Sequence, residues 1–247
     1  MTPVAITASG GLAALAAWAP IYYATYAVRS QWLGPTVWHG PRNRASIALT
    51  FDDGPGQDTE RVLDVLARHS VRATFFMIGR HVERHPQIAR RIVADGHEIG
   101  NHSYAHPIYL YVTPSRTRRE LERTQHVLRD VVGVTPSLSR PPCGVRTPAY
   151  FSAARALRLR TIQWSVAGYD WRPVTSTQIT AAVLRGLEPG AIVLLHDADS
   201  AGRGTRKPTA EAVTAILRHT SARGLRSEPL SQLLRTDAST IASTSHV

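Results

Sequence analysis

An α/β fold of parallel βαβ units, closing toward a barrel, is what this sequence predicts, and two observations carry the prediction. Apolar strand candidates at 46–51, 72–78, 97–101, 136–140, 160–166 and 190–196, with a weaker seventh at 224–228, alternate with helical patterns at 58–69, 85–95, 114–132, 147–157, 176–187 and 208–221. Such alternation builds parallel crossover units. The segments richest in chemistry-bearing side chains follow the strands, which is where sites sit in parallel barrels. At 247 residues one domain is the natural count, and no internal repeat is evident.

The amino terminus comes before that pattern. Residues 1–28 carry no charged side chain, and Val4 to Val28 is mostly apolar, long enough to span a hydrocarbon core of ~30 Å. Trp18, Tyr22, Tyr23 and Tyr26 suit an interfacial belt. We therefore expect residues 1–29 to form a transmembrane or membrane-anchor helix, 30–43 a linker, 44–236 the α/β domain and 237–247 a flexible tail rich in Ser and Thr. No positive n-region precedes the apolar run, which argues against a secretory signal peptide; a helix packed on the barrel is the alternative. Arg29, Arg42 and Arg44 follow the span and favour a cytoplasmic domain under the positive-inside rule. Three arginines are too few to fix the side, so it stays open between the cell surface and the cytoplasmic face.

The first strand ends in Thr50-Phe51-Asp52-Asp53-Gly54-Pro55. Neighbouring strand residues point to opposite faces, so both aspartates reach one site only where the strand stops, and Gly54-Pro55 marks that stop. Two adjacent carboxylates repel unless a cation or an arginine is near. About fifty residues on, His102-Ser103-Tyr104-Ala105-His106 follows the short segment Glu98-Ile99-Gly100, and Pro107 keeps the pair on a strand-to-helix loop. Two histidines four apart with one aspartate make a triad that leaves coordination positions free, the pattern of a catalytic metal. Three further segments follow strands. Arg140-Pro141-Pro142-Cys143-Gly144 is a stiff loop offering a cation and a backbone N–H. The stretch from Trp164 to Trp171 ends in Asp170-Trp171, and Ile192 to Asp197 is a buried strand delivering His196 at its end.

In order and spacing these five segments resemble the motifs of the NodB-homology polysaccharide deacetylases, carbohydrate esterase family 4, over roughly residues 44 to 236. The resemblance implies a distorted, incomplete (β/α)7 barrel preceded by the apolar helix. It implies Asp52 as general base, with Asp53, His102 and His106 as ligands of a divalent metal, most simply zinc, with cobalt, manganese or nickel able to serve. Arg140 would hold the base in its ionised form, and the backbone N–H of Cys143 would face the oxyanion. His196 would be the general acid, oriented and charged by Asp170, and Trp171 and Leu194 would contact substrate. The implied reaction is metal-dependent hydrolysis of an N-acetyl group on an amino sugar, releasing acetate.

Two departures bear on substrate choice. Cys143 stands where the family usually carries Tyr, so an aromatic wall is lost while the main-chain donor survives. Ala167 stands where the first Asp of a DxxDW pattern would be. A lone cysteine excludes an intramolecular disulfide. Net charge is +11, from 29 basic against 18 acidic side chains, with Lys207 the sole lysine. The excess favours anionic surroundings such as lipid head groups, phosphosugars or wall polymers. Its clusters, Arg116, Arg118, Arg119 and Arg123, and then Arg203, Arg206 and Lys207, lack the aromatic interleaving or module of a nucleic-acid binder, so no nucleic-acid partner is expected. The expected substrate is a chitin-like or peptidoglycan glycan. The alternatives are a membrane lipid-linked amino-sugar phosphate and a catalytically silent glycan-binding barrel; the latter fits less well because Asp52, Asp53, His102, His106 and His196 are all present.

Overall fold

The computed structural model describes residues 18–235. Among them the parallel strands are β1 (Ser46–Asp52), β2 (Thr74–Met77), β3 (Glu98–Asn101), β4 (Leu138–Ser139), β5 (Arg160–Thr161), β6 (Val166–Ala167), β7 (Ile192–His196) and β8 (Arg226–Ser227). They pair in the order β5-β4-β3-β2-β1-β7-β6, with β8 joining β1 off that path. The sheet is an open, curved half-barrel: β5 and β6 are its two ends and do not pair.

An incomplete barrel is the expected architecture, and the difference from the expected seven strands lies in one segment. The candidate strand 160–166 is two strands on opposite edges. Arg160 and Thr161 pair with β4, whereas Val166 and Ala167 pair with β7. Between them the chain crosses the gap: the Ile162 N–H still donates to Ser139 O (2.8 Å), and the Ser165 N–H already donates to Ile192 O (3.0 Å). The strand count among the described residues is thus eight.

Strand periodicity sorts the side chains into two cores. Ile47, Leu49 and Phe51 of β1, Phe75 and Met77 of β2, and Val193 and Leu195 of β7 face the helices and form the larger core. The intervening Ala48, Phe76, Leu138 and Ile192 point inward and meet Leu230 and Leu233 of a short helix (Leu230–Leu233) that plugs the N-terminal mouth. Each fully buried aliphatic or Phe side chain contributes ~1.5–3 kcal/mol, so the two-faced burial of β1 accounts for its near-continuous apolar sequence. Continued by two, the inward series runs Ala48-Thr50-Asp52, Ile192-Leu194-His196 and Leu138-Arg140. The same alternation that fills the floor with apolar groups thus puts the ionisable groups at the C-terminal rim.

Helices cover the outer face: α2 (Thr59–Arg68), α3 (Gly79–Arg84), α4 (Pro86–Ala94), α5 (Pro114–Val132), α6 (Pro148–Ala156), α7 (Ser176–Gly186) and α8 (Lys207–Ala222). Their ends follow local chemistry. Thr113 caps α5 by accepting from the Arg116 N–H (3.3 Å), and Gly133 ends it at φ 73°, a left-handed conformation that suits glycine. Thr175 and Gln178 form a reciprocal capping box at α7.

Most of the expected anchor helix, residues 1–17, lies outside the described residues, as does the whole of the expected tail, 237–247. Among the described residues no helix is long and apolar enough to cross a membrane. The visible part, a helix over 18–26 (α1), buries Ala24 and Thr25 on the domain and exposes Trp18, Ile21, Tyr22 and Tyr23. Residues 30–43, expected as a linker, are tied down: Val37 bridges Ile162, the Gly40 N–H donates to Gly190 O (2.7 Å), and Arg42 pairs with Glu188 (2.6 Å).

Candidate active site

Asp52 and His196 are direct register partners across β1 and β7, so two neighbouring strands end in a carboxylate and an imidazole facing the same cleft. Asp53 is one residue past the strand, where alternation would turn it away. Its backbone takes φ 76°, a left-handed conformation uncommon for a non-glycine residue, and this swings its carboxylate back beside Asp52. The His81 Nδ1–H donates to the Asp53 carbonyl (2.7 Å) and holds the turn.

Asp53 Oδ1 lies 3.4 Å from His102 Nε2 and 3.3 Å from His106 Nε2. The three ligand atoms fall within 4.8 Å of one another, and Asp53 Oδ1 is buried without a hydrogen-bond partner. An orphaned buried carboxylate oxygen facing two imidazole nitrogens is costly by itself and fits a divalent cation. The His102 Nδ1–H donates to Arg140 O (2.8 Å), so its Nε2 lone pair points at Asp53, the outer-shell arrangement that orients a metal-binding histidine. Burial acts to raise the Asp53 pKa, but the imidazoles of His102, His106 and His196 hold it well below the usual carboxylate range. Burial pushes His106 down to about 4, leaving it neutral as a ligand must be. For His102 burial acts downward as well, but Asp52 and Asp53 outweigh it and raise the pKa, the mark of a position that attracts positive charge.

The metal loop is held from behind. Ser103 and His106 both have positive φ, 65° and 57°. The Ser103 N–H donates to Asn101 Oδ1 (2.9 Å), the His106 N–H to Ser103 Oγ (3.0 Å), and the Tyr104 and Ala105 N–H groups to Glu120 Oε2 (3.1 and 2.7 Å). Arg140, fully buried, donates from Nη1 to Asp52 Oδ1 (2.7 Å) and Thr50 Oγ1 (2.8 Å), and from Nη2 to Gln163 O (3.1 Å). Its guanidinium lies 4.2 Å from the Phe76 ring centre.

Opposite, Asp170 is buried and accepts three hydrogen bonds: Oδ1 from His196 Nδ1–H (2.8 Å), and Oδ2 from the His196 backbone N–H (2.7 Å) and the Thr209 hydroxyl (2.8 Å). This leaves His196 Nε2 for the cleft. Burial acts to lower the His196 pKa, but the Asp170 carboxylate overrides it, with help from Asp53 and Asp52, and pushes it up to about 9. Cys143 sits at φ 54° in a tight turn whose bonds run from the Gly144 N–H to Pro141 O (2.9 Å) and from the Val145 N–H to Pro142 O (3.0 Å). Among the described residues its own N–H is left without a main-chain acceptor. Burial, then the Asp53 and Asp52 carboxylates, push its thiol up.

All ten side chains singled out in the sequence converge here. Asp52, Asp53, His102, His106, Cys143, Trp171, Leu194 and His196 line one cavity of about 450 Å³, with Arg140 directly behind Asp52 and Asp170 directly behind His196. Sequence reasoning missed Thr50, His81 and Thr209, which hold Arg140, the Asp53 turn and Asp170. Thr50 lies inside the first motif and was there to be found; His81 and Thr209 sit on helices with no local signal. Trp164, on the segment that crosses the gap, and Arg206 also line the cavity.

The polysaccharide deacetylase family profile matches residues 39–162. A peptidoglycan-N-acetylglucosamine deacetylase of Bacillus cereus is 36% identical over 198 residues, covering 80% of this chain and 71% of the relative. A chitooligosaccharide deacetylase of Bradyrhizobium is also 36% identical, covering 76% of this chain and 90% of the relative. The crystal structure of a peptidoglycan N-acetylglucosamine deacetylase in complex with 4-naphthalen-1-yl-N-oxidanyl-benzamide superposes with a TM-score of 0.77 at 34% identity, covering 82% of this chain and 94% of that one. With Asp53, His102 and His106 grouped at the rim of a parallel half-barrel, and with these matches, the chain belongs to the polysaccharide deacetylase family.

Proposed function

We propose that the cleft hydrolyses the N-acetyl group of an N-acetylated amino sugar in a glycan, of the chitin-like or peptidoglycan kind, and releases acetate. The observation that carries the reading is the pairing of Asp52 with His196 across one register row, with the Asp53–His102–His106 cluster beside it. Asp53, His102 and His106 would hold the divalent metal, which supplies carbonyl polarisation and a more acidic water. Two imidazoles and one carboxylate suit zinc, and cobalt, manganese or nickel share that preference in part.

The protein's own groups divide the proton work. Asp52, fixed by Arg140, takes a proton as water oxygen bonds to the acetyl carbon. The Cys143 N–H donates to the oxygen that gains negative charge; one such donor is typically worth ~3 kcal/mol. His196 Nε2–H gives its proton to the sugar nitrogen as the C–N bond breaks, and Asp170 keeps the ring protonated and oriented. Acetate and a free amino sugar leave, and the two transferred protons balance. Trp171 and Leu194 border the sugar.

A second reading has an observation of its own. Trp18, Ile21, Tyr22, Tyr23 and Trp32 are exposed next to the uncharged apolar stretch 1–17, which fits anchoring at a membrane and a lipid-linked amino-sugar phosphate as substrate. The test is acetate release by the full chain from N-acetylglucosamine oligomers and acetylated peptidoglycan, apo and with zinc or cobalt, beside Asp52→Asn. Metal-dependent release that Asp52→Asn abolishes, with metal still bound, supports the glycan reading. Metal binding without release on either polymer moves the assignment to the lipid-linked sugar. Failure to bind metal leaves a silent glycan-binding barrel.

A further inference from the structure

The basic cluster Arg203, Arg206 and Lys207 takes no part in the proton transfers, yet one member of it stands in the cleft. Arg206 is the one arginine among the described residues that line the catalytic cavity, and Asp199 and Ser200 of the same β7–α8 loop line it too. Arg203 and Lys207 are exposed and do not. The loop is fixed from behind. Asp58 Oδ2 accepts from the Thr205 hydroxyl and from the Arg206 N–H (both 2.6 Å), and Arg80 Nη2 donates to Ser200 O. Arg206 therefore leaves a held backbone at the start of α8, not a loose loop tip.

Its side chain is 13% exposed, and the guanidinium is only partly engaged. Nε donates to Ala198 O (3.2 Å), while Nη2 lies 3.6 Å from Asp199 Oδ1, beyond direct hydrogen-bond reach. Asp199 is served by the main chain instead: Oδ2 accepts from the Arg203 and Gly204 N–H groups (3.0 and 3.1 Å). Burial acts to raise the Asp199 pKa, but these N–H groups, then Arg206, hold it down. The other charged groups facing the cavity are already matched, Asp52 by Arg140, Asp53 by the two histidines and His196 by Asp170. A cation kept from water without a full partner is costly, and a neutral sugar beside it would leave it so.

We propose that Arg206 is a specificity-determining residue whose Nη groups bind an anionic oxygen group, carboxylate or phosphate, carried by the substrate beside the reacting acetamido group. The guanidinium fork matches both oxyanions. Arg203 and Lys207 add a positive field that draws an anionic chain toward the loop. Position in the cavity, not composition, singles out Arg206 in a chain rich in arginine. In a peptidoglycan strand the group is the lactyl carboxylate on every second sugar; in a lipid-linked amino sugar it is the phosphate; a chitin-like chain has neither. The proposal rests on the deacetylase reading above and adds to it which substrates the cleft favours.

The experiment measures kcat/KM for acetate release by the zinc-loaded full chain on two matched pairs. One pair is the N-acetylglucosamine tetramer and a peptide-free tetrasaccharide of alternating N-acetylglucosamine and N-acetylmuramic acid. The other is N-acetylglucosamine and its 1-phosphate. Wild type favours the anionic member of a pair, Arg206→Gln lowers that anionic-to-neutral ratio by about tenfold, and Arg206→Lys recovers part of it. Arg203→Gln removes the same charge outside the cavity and leaves the ratio as in wild type. The pair whose ratio falls identifies the source of the anion. A ratio that Arg206→Gln does not move overturns the proposal even where both rates fall, because an equal loss is that of a structural prop. An equal fall in Arg203→Gln overturns it too, in favour of a general field. If wild type releases acetate from none of the four, the deacetylase reading fails, and calorimetric Kd values for the same pairs then decide the site: an anionic preference removed by Arg206→Gln upholds it, and equal Kd values in wild type overturn it.

Discussion

Replacing Asp170 with Asn tests the proposed acid role of His196 apart from everything else in the cleft. The amide keeps an oxygen for the His196 N–H and the Thr209 hydroxyl, at 2.7 and 2.8 Å, so the loop geometry has its partners. The charge facing Nδ1 is lost. His196 is held at about 9 against an ordinary 6.5 chiefly because that carboxylate overrides burial. Without it burial prevails and the ring falls to 6.5 or below. At pH 7.5 the protonated fraction drops from ~97% to ~9% or less, a loss of at least about tenfold in turnover. The alkaline limb of the rate profile moves down by about two units or more, and metal content is unchanged. The Asp52 and Asp53 contributions are the part a bound cation would offset, so the limb in wild type is set mainly by Asp170. The sign for stability is the same. A folded pKa above the unfolded one stabilises fully below about pH 6.5 and loses that stabilisation as pH rises through about 9, and Asn abolishes this dependence. The assay is acetate release from pH 5 to 10 with metal measured in parallel. An alkaline limb still near 9 in the Asn variant would refute the assignment of His196 as an acid charged by Asp170.

Arg140→Met leaves the Asp52 carboxylate buried without its cation and should cost about 3–5 kcal/mol, read as a lowered thermal midpoint along with lost turnover. His102→Ala removes one of three clustered ligand groups; zinc affinity measured by competition with a chelating dye should fall by at least about tenfold, and activity should vanish with it. Gly54→Ala places a methyl group against the Asp197 carboxylate, closer than any contact allows, beside the turn that carries Asp53; little soluble protein is expected, and a variant with normal expression and thermal midpoint would show the turn can shift.

How much of this was written in the sequence depends on whether a feature is local. Strand β1 was legible because a strand buried on both faces must be apolar throughout, and the aspartates closing it break that rule at one point. The five rim segments were legible because each joins a strand end to a short polar motif. The division of 160–166 was not. Thr161-Ile162-Gln163-Trp164-Ser165-Val166 reads as one β-prone run, and nothing in it says that its two ends pair with strands on opposite edges. His81 and Thr209 were hidden for a related reason: each sits on a helix far in sequence from the aspartate it supports, and a single contact at long range leaves no periodic trace.

The amino-terminal segment sharpens the point. From hydropathy alone residues 1–29 are a membrane span followed by a linker, and that expectation treats everything before residue 44 as apart from the chemistry. The described part behaves otherwise from Thr25 on, because Arg146, one arginine in a chain crowded with them, turns its guanidinium inward onto three carbonyls. Composition argues against reading function into any one arginine here, and burial reverses that judgement for Arg140 and Arg146, at 0% and 1% exposure. A buried guanidinium is tolerated only where carboxylate or carbonyl oxygens satisfy it. The two are six residues apart on one loop and fix different partners, the Asp52 carboxylate for one and the amino-terminal segment for the other. Between them lies Cys143, which lines the cavity, so this loop joins the rim to a segment that hydropathy alone would assign to the membrane.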